Sequence, residues 1–243
     1  MKWRYVVRCA ALLALLGLLG VGAAQADDAA VVKIARLAGT VEVMHKDATH
    51  GKWIDAEVDQ ELSAGWSLRT GDESKAQLVF PKDNVVILKE HSVLIVHEVT
   101  AAGGAHIEST DGGLLVQLKN HLDPGSEFTL DTPDAQAIVR GTEYGVQIED
   151  AGQDEHGQPL KRATFYGYDG RVEVKNSKGS QYLEHGKTLV AELGKIGIPF
   201  ASLAVANDFL NDLNSQVLYN KAKGQAQKQV DKQINKARKK LKF

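Results

Sequence analysis

The chain is nearly free of cysteine: Cys9 is the only one among 243 residues. It lies in an apolar N-terminal stretch, so the remainder can form no disulfide and do no thiol chemistry, and must be stable by packing alone. Proline is almost as scarce, with 5 residues against 23 glycines, a balance that suits a β protein rich in tight turns. Catalytic fingerprints are missing too. There is no Gly-x-Ser-x-Gly elbow, His-Glu-x-x-His helix, P-loop or dinucleotide motif. The eight histidines are scattered, and the nearest pairs, His45/His50 and His91/His97, lack a metal-ligand rhythm, so they read as surface residues. The acidic run Asp55, Glu57, Asp59, Glu61 reads as a solvated face, because it lacks the turn glycine of a calcium loop. No catalytic residue, metal or cofactor is expected.

No apolar run reaches the roughly 20 residues a membrane-spanning helix needs. The longest, Ala10–Gly22, follows Lys2, Arg4 and Arg8 and precedes Ala24-Gln25-Ala26 and Asp27. That order is the pattern of a secretory signal peptide cleaved after Ala26, which predicts a periplasmic protein beginning at Asp27. Charge is balanced overall but not along the chain. Residues 27–206 carry 17 Lys and Arg against 28 Asp and Glu, net −11, whereas residues 207–243 carry 9 against 3, net +6. An acidic body and a basic tail are expected to be distinct segments.

The body reads as about fourteen short strands separated by Gly, Asn and Asp turns. Ala76, Leu78 and Phe80 alternate with Gln77 and Val79, and Val93–Val99 alternates likewise. His106–Ser109 and Leu114–Leu118 read as two strands around an Asp111-Gly112-Gly113 turn. An internal echo suggests a winding sheet: Gly39-Thr40-Val41-Glu42-Val43 parallels Gly170-Arg171-Val172-Glu173-Val174, and Leu62…Gly65…Leu68 parallels Leu183…Gly186…Leu189. Trp53 and Trp66 read as core groups, with sugar stacking as the other use of an aromatic face.

The chain is organised around Asp131–Ile148, which reads as strand, corner, strand. Thr132-Pro133 excludes a helix interior. Ala135, Ala137 and Val139 then alternate with Gln136, Ile138 and Arg140; Gly141 breaks the run; Thr142, Tyr144, Val146 and Ile148 resume it on one face. A glycine there predicts a bulge or a close backbone approach. Arg140 and Glu143 flank it with opposite charge, either as a structural ion pair or, with Thr142, as a binding site for a ligand or partner.

Thr132-Pro133 followed by Ile138-Val139-Arg140-Gly141-Thr142-Glu143-Tyr144 resembles the signature of the FecR domain, the periplasmic module of a family of iron-transport regulators. The resemblance extends over most of Gly39–Val190. It implies an all-β domain for sensing or interaction, without known catalysis. Members that regulate sigma factors place a cytoplasmic segment before a membrane helix, and the few residues ahead of Ala10 leave no room for one, so direct anti-sigma action is not expected.

The expected architecture is therefore all-β: residues 1–26 a signal peptide, 27–198 a rolled or β-helix-like FecR-like domain, and 199–243 a helical basic tail. In the tail Phe209, Leu210, Leu213, Val217 and Leu218 recur at helical spacing, and Val230, Ile234, Ala237 and Leu241 continue a thin stripe beyond Gly224. Its first half is expected to pack on the sheet, and Val230–Phe243 either to be solvated or to dock on an anionic surface. The expected function is a non-enzymatic sensing, binding or interaction module of the bacterial cell envelope. Its expected partner is an envelope protein or a wall or outer-membrane polymer, not nucleic acid. An envelope glycan hydrolase or carbohydrate-binding accessory protein is the alternative.

Overall fold

In each long strand the apolar residues fall on alternate positions and point to one interior, and that alternation builds the fold. The computed structural model describes residues 30–46, 51–119, 122–192, 195–201 and 209, and eighteen strands lie among them. The first nine are β1 (Val32–Ala38), β2 (Val41–His45), β3 (Ile54–Asp55), β4 (Glu61–Leu62), β5 (Trp66–Thr70), β6 (Lys75–Phe80), β7 (Asn84–Leu88), β8 (Val93–Val99) and β9 (Ala105–Gln117). The others are β10 (Phe128–Asp131), β11 (Gln136–Val139), β12 (Glu143–Gln153), β13 (Pro159–Asp169), β14 (Arg171–Asn176), β15 (Gly179–Glu184), β16 (Lys187–Glu192), β17 (Lys195–Ile196) and β18 (Phe200–Ala201).

The pairings define two layers. The first sheet runs β4-β1-β6-β7-β9-β12-β13-β16, with β17 and β18 on the outer edge of β16. The second runs β3-β2-β5-β8-β9-β10-β11-β14-β15. All pairs are antiparallel except β9 with β10. The chain advances along both sheets while passing repeatedly from one to the other, which gives the expected roll.

Strand β9 belongs to both layers: Ala105–Asp111 pairs with β8, and Leu114–Gln117 pairs with β7. The expected turn at Asp111–Gly113 is therefore a crossing, and the two strands read around it are one. Gly112 supplies a φ of +76° at the bend. Ser92 pins it, its Oγ donating to the Gly113 carbonyl at 2.9 Å and accepting the Gly113 N–H at 3.0 Å. The total exceeds fourteen because two-residue strands such as β3, β4, β17 and β18 are too short to show a period.

Both layers enclose one core, from Val32, Ile34 and Leu62 through Leu78, Leu88 and Leu114 to Phe165 and Leu189. Phe80 of the first sheet meets Phe128 of the second edge to face, with centroids 5.3 Å apart. Such a pair contributes about 0.5–1.5 kcal/mol beyond its burial, and here it ties the layers together.

The internal echo marks corners. Gly39 and Gly170, at φ +74° and +65°, each take the chain from the first sheet to the second. Gly65 and Gly186, at +90° and +70°, also stand where it changes layer, but in opposite directions. The expected signal peptide lies outside the described residues. So does the expected helix of the tail, apart from Phe209, which is helical and buried. No helix among the described residues is long and apolar enough to cross a membrane.

Candidate interaction surface

The signature stretch forms the joint between β11 and β12. Thr132 makes the first bend: its Oγ1 donates to the Ala135 carbonyl at 2.7 Å and accepts the Ala135 N–H at 3.2 Å. Ala135, Ala137 and Val139 point into the core, as their alternation predicts. Gly141, at φ +147°, then carries the chain from the second sheet to the first. It is a corner between layers rather than a bulge within a strand. Beyond it Thr142, Tyr144, Val146 and Ile148 are buried on one face. Burial keeps the Tyr144 phenol neutral well above its ordinary range.

The three residues read as a site do not converge. Arg140 is exposed and donates to Glu127 at 2.5 Å, a contact that raises its already high pKa. Glu143 instead accepts from the Gln117 amide at 3.0 Å. Thr142 is buried, its carbonyl accepting the Leu118 N–H at 2.9 Å. The expected Arg140–Glu143 pair is thus replaced by two separate pairs. Arg140 stands alone of the three on the exposed end of the second sheet, because the corner at Gly141 sends its neighbours to the other layer.

The outer face of the second sheet gathers residues that the sequence scatters. Register places Ile95, Glu108, Asp131, Gln136 and Lys175 in one row and His106, Thr129, Ile138, Glu173 and Tyr182 in the next. His97 sits where the β8–β9 register shifts, a bulge that re-aims its side chain. It contacts Glu108 at 2.8 Å, while His106 contacts Asp131 at 2.7 Å. The two imidazoles lie 4.9 Å apart, and Gln136 donates to the other Asp131 oxygen at 2.6 Å. This forms a continuous polar strip, Glu108–His97–His106–Asp131–Gln136. Beside it an open cleft of about 430 Å³ is lined by Asp131–Gln136 and Lys175–Ser177, so the Thr132-Pro133 bend forms one wall.

Their scatter marks the histidines as incidental in the sequence, because the contact between His97 and His106 depends on a bulge and a register that spacing cannot give. Among the described residues no group of histidines and carboxylates is arranged to hold a metal ion. Several carboxylates are already engaged: Asp111 and Asp150 by Lys161, and Glu192 by Arg162 at 2.6 Å. The Arg162 hydrogen bond holds Glu192 below the usual carboxylate range. Trp53 and Trp66 are half-buried, Trp53 beneath the Arg69 guanidinium at 4.4 Å and Trp66 against His45. Of the two, Trp66 packs on the core.

The geometry is that of a rolled two-layer β domain with a polar outer face and a Thr-Pro…Arg-Gly-Thr-Glu joint. Residues 67–156 match the family described as FecR protein. No curated protein matches the chain. Two crystal structures of a "putative anti-sigma factor" from Parabacteroides distasonis ATCC 8503, at 1.65 and 2.50 Å resolution, are similar to it. Each is 18% identical with a TM-score of 0.45, over 56% of this chain and 59% of the other. The chain thus spans about three fifths of the length of those structures.

Proposed function

We propose that this protein is an exported, periplasmic FecR-domain protein that acts as a non-enzymatic sensing or interaction module of the bacterial cell envelope. It meets an envelope protein, or a wall or outer-membrane polymer, through the outer face of the second sheet. The observation that carries the reading is the FecR match at residues 67–156, whose strands β8 to β11 contribute the polar strip. An open strip of paired, half-exposed polar side chains suits recognition of a surface better than enclosure of a substrate. The leader, ending at Ala24-Gln25-Ala26, supports export.

The test is photocrosslinking in cells. A crosslinking amino acid at Thr129 or Ile138 should trap an envelope component in the periplasmic fraction, and one at Gln77 or Val79 on the first sheet should not. Adducts only from the first sheet, or a protein retained in the cytoplasm with its leader attached, would overturn the proposal. So would turnover of envelope glycans by the purified chain.

A further inference from the structure

On the opposite side of the molecule, the outer face of the first sheet holds an aromatic side chain from far along the sequence. Phe209 is only 6% exposed, and its ring stacks on Tyr166 with centroids 5.1 Å apart and planes 28° apart. The Lys89 ammonium lies 4.8 Å from the ring centroid. Phe209, Tyr166 and Tyr168 form a cluster of their own, separate from the main core.

The floor beneath the ring consists of two glycines on neighbouring strands. Gly145 of β12 stands opposite Leu115 of β9, and Gly113 of β9 stands opposite Gln147 of β12, so the glycines are diagonal neighbours on the outer face. A Cβ on Gly145 would lie 2.8 Å from the Phe209 Cε1, and one on Gly113 would lie 3.2 Å from its Cε2. Neither glycine has a positive φ, unlike Gly112 and Gly141. Their backbones would accept any residue; at Gly145 the nearest obstacle to a Cβ is the Phe209 ring itself, whereas at Gly113 the Gln147 Oε1 at 2.6 Å and the Lys89 Cδ at 2.9 Å come closer.

We propose that this socket is a binding site for an aromatic-anchored peptide segment, held in cis by Phe209 and able to exchange with the same segment supplied in trans. Three observations carry it. The socket matches one flat ring on three sides: the glycine floor, the Tyr166 wall and the Lys89 cation. It stands apart from the core, so a ring can leave without opening the sandwich. It also continues into a cleft of about 350 Å³ through the shared residues Lys89 and Gln147.

The test uses the chain from Asp27 to Phe243 and a fluorescent peptide of residues 202–218. A tethered segment competes at an effective concentration on the order of millimolar, so wild type should bind the peptide weakly. Phe209→Ala should bind it about tenfold tighter or better, and the same peptide carrying Phe209→Ala should lose that gain. Gly145→Ala added to Phe209→Ala should close the socket and return binding to the wild-type level. Should that variant fail to fold, Tyr166→Ala added to Phe209→Ala, which removes the stacking wall, should likewise return binding to the wild-type level. Equal binding by wild type and Phe209→Ala would overturn the proposal, as would indifference to the peptide's phenylalanine. A wild-type dimer that exchanges Phe209 between copies would overturn occupation in cis. Loss of peptide binding would leave crosslinking from Thr129 and Ile138 intact, so the two proposals fail separately.

Discussion

Gly170 lies against Thr142: a Cβ on Gly170 would come within 2.5 Å of the Thr142 Cγ2 and 3.2 Å of the Gly141 carbonyl oxygen. The two glycines are the corners at which β11 passes to β12 and β13 passes to β14. The signature therefore packs its own corner against a later one, which locks the two layer changes together.

Both corners are expected to be intolerant of side chains. Gly141→Val forces a β-branched residue to φ +147°, and Gly170→Val adds a collision to a left-handed φ. Each should lower stability by about 1–3 kcal/mol, read as a shifted denaturation midpoint with unchanged slope. An unchanged midpoint for Gly141→Val would show that the corner relaxes freely.

Arg140→Ala is expected to leave the melting midpoint where it is, because its pair with Glu127 is exposed and such pairs contribute little. Crosslinking from Thr129 and Ile138 should nevertheless fall if Arg140 borders the interaction surface. Undiminished crosslinking would remove it from that surface.

Alkaline stability should be governed by the buried tyrosines. Burial, aided by Glu149, pushes the Tyr166 phenol up to about 12, and burial raises Tyr144 and Tyr168 further. A folded pKa above the unfolded value of 10.0 gives stability that is complete below pH 10 and is lost as pH rises through the folded pKa. Absorbance at the tyrosinate band should thus show a late step coinciding with unfolding above about pH 11. Phe209→Ala should bring part of it forward by exposing Tyr166. A single unshifted titration near the ordinary tyrosine value would contradict the burial.

Export is expected to depend on the apolar leader. Leu13→Arg with Leu16→Arg breaks the run Ala10–Gly22 and should leave uncleaved protein in the cytoplasm. Recovery from the periplasm of that variant beginning at Asp27 would refute the signal peptide.

The last expectation concerns the basic end. Deleting residues 225–243 should leave the β domain folded, because every strand among the described residues ends by Ala201, and should abolish low-salt binding to anionic vesicles. Binding by the intact chain should weaken as salt rises, since exposed charges are screened within about 8 Å at physiological ionic strength. Equal binding by both forms would assign the tail no role in surface contact.

Parity was readable from the sequence. The alternation of Ala135, Ala137 and Val139 and its resumption, after the break at Gly141, at Thr142, Tyr144 and Val146 correspond to buried positions, because a strand's side-chain period is local and fixed. The glycine corners at Gly39 and Gly170 were legible as a repeated pattern for the same reason. Partner choice was not. Whether Arg140 faces Glu143 or Glu127 depends on which layer each strand joins. The meeting of His97 with His106 depends on a bulge between two strands.

The sequence by itself determined the all-β class, the inward and outward faces, the corner positions and the FecR signature, all carried by spacings of a few residues. Only the tertiary structure decided that Asp111–Gly113 is a crossing and not a turn. Only it placed Phe209 in a socket floored by Gly113 and Gly145. The physical reason is range: such contacts join residues tens of positions apart, and they exist only once strand register and layer have been set by the packing of the whole sandwich.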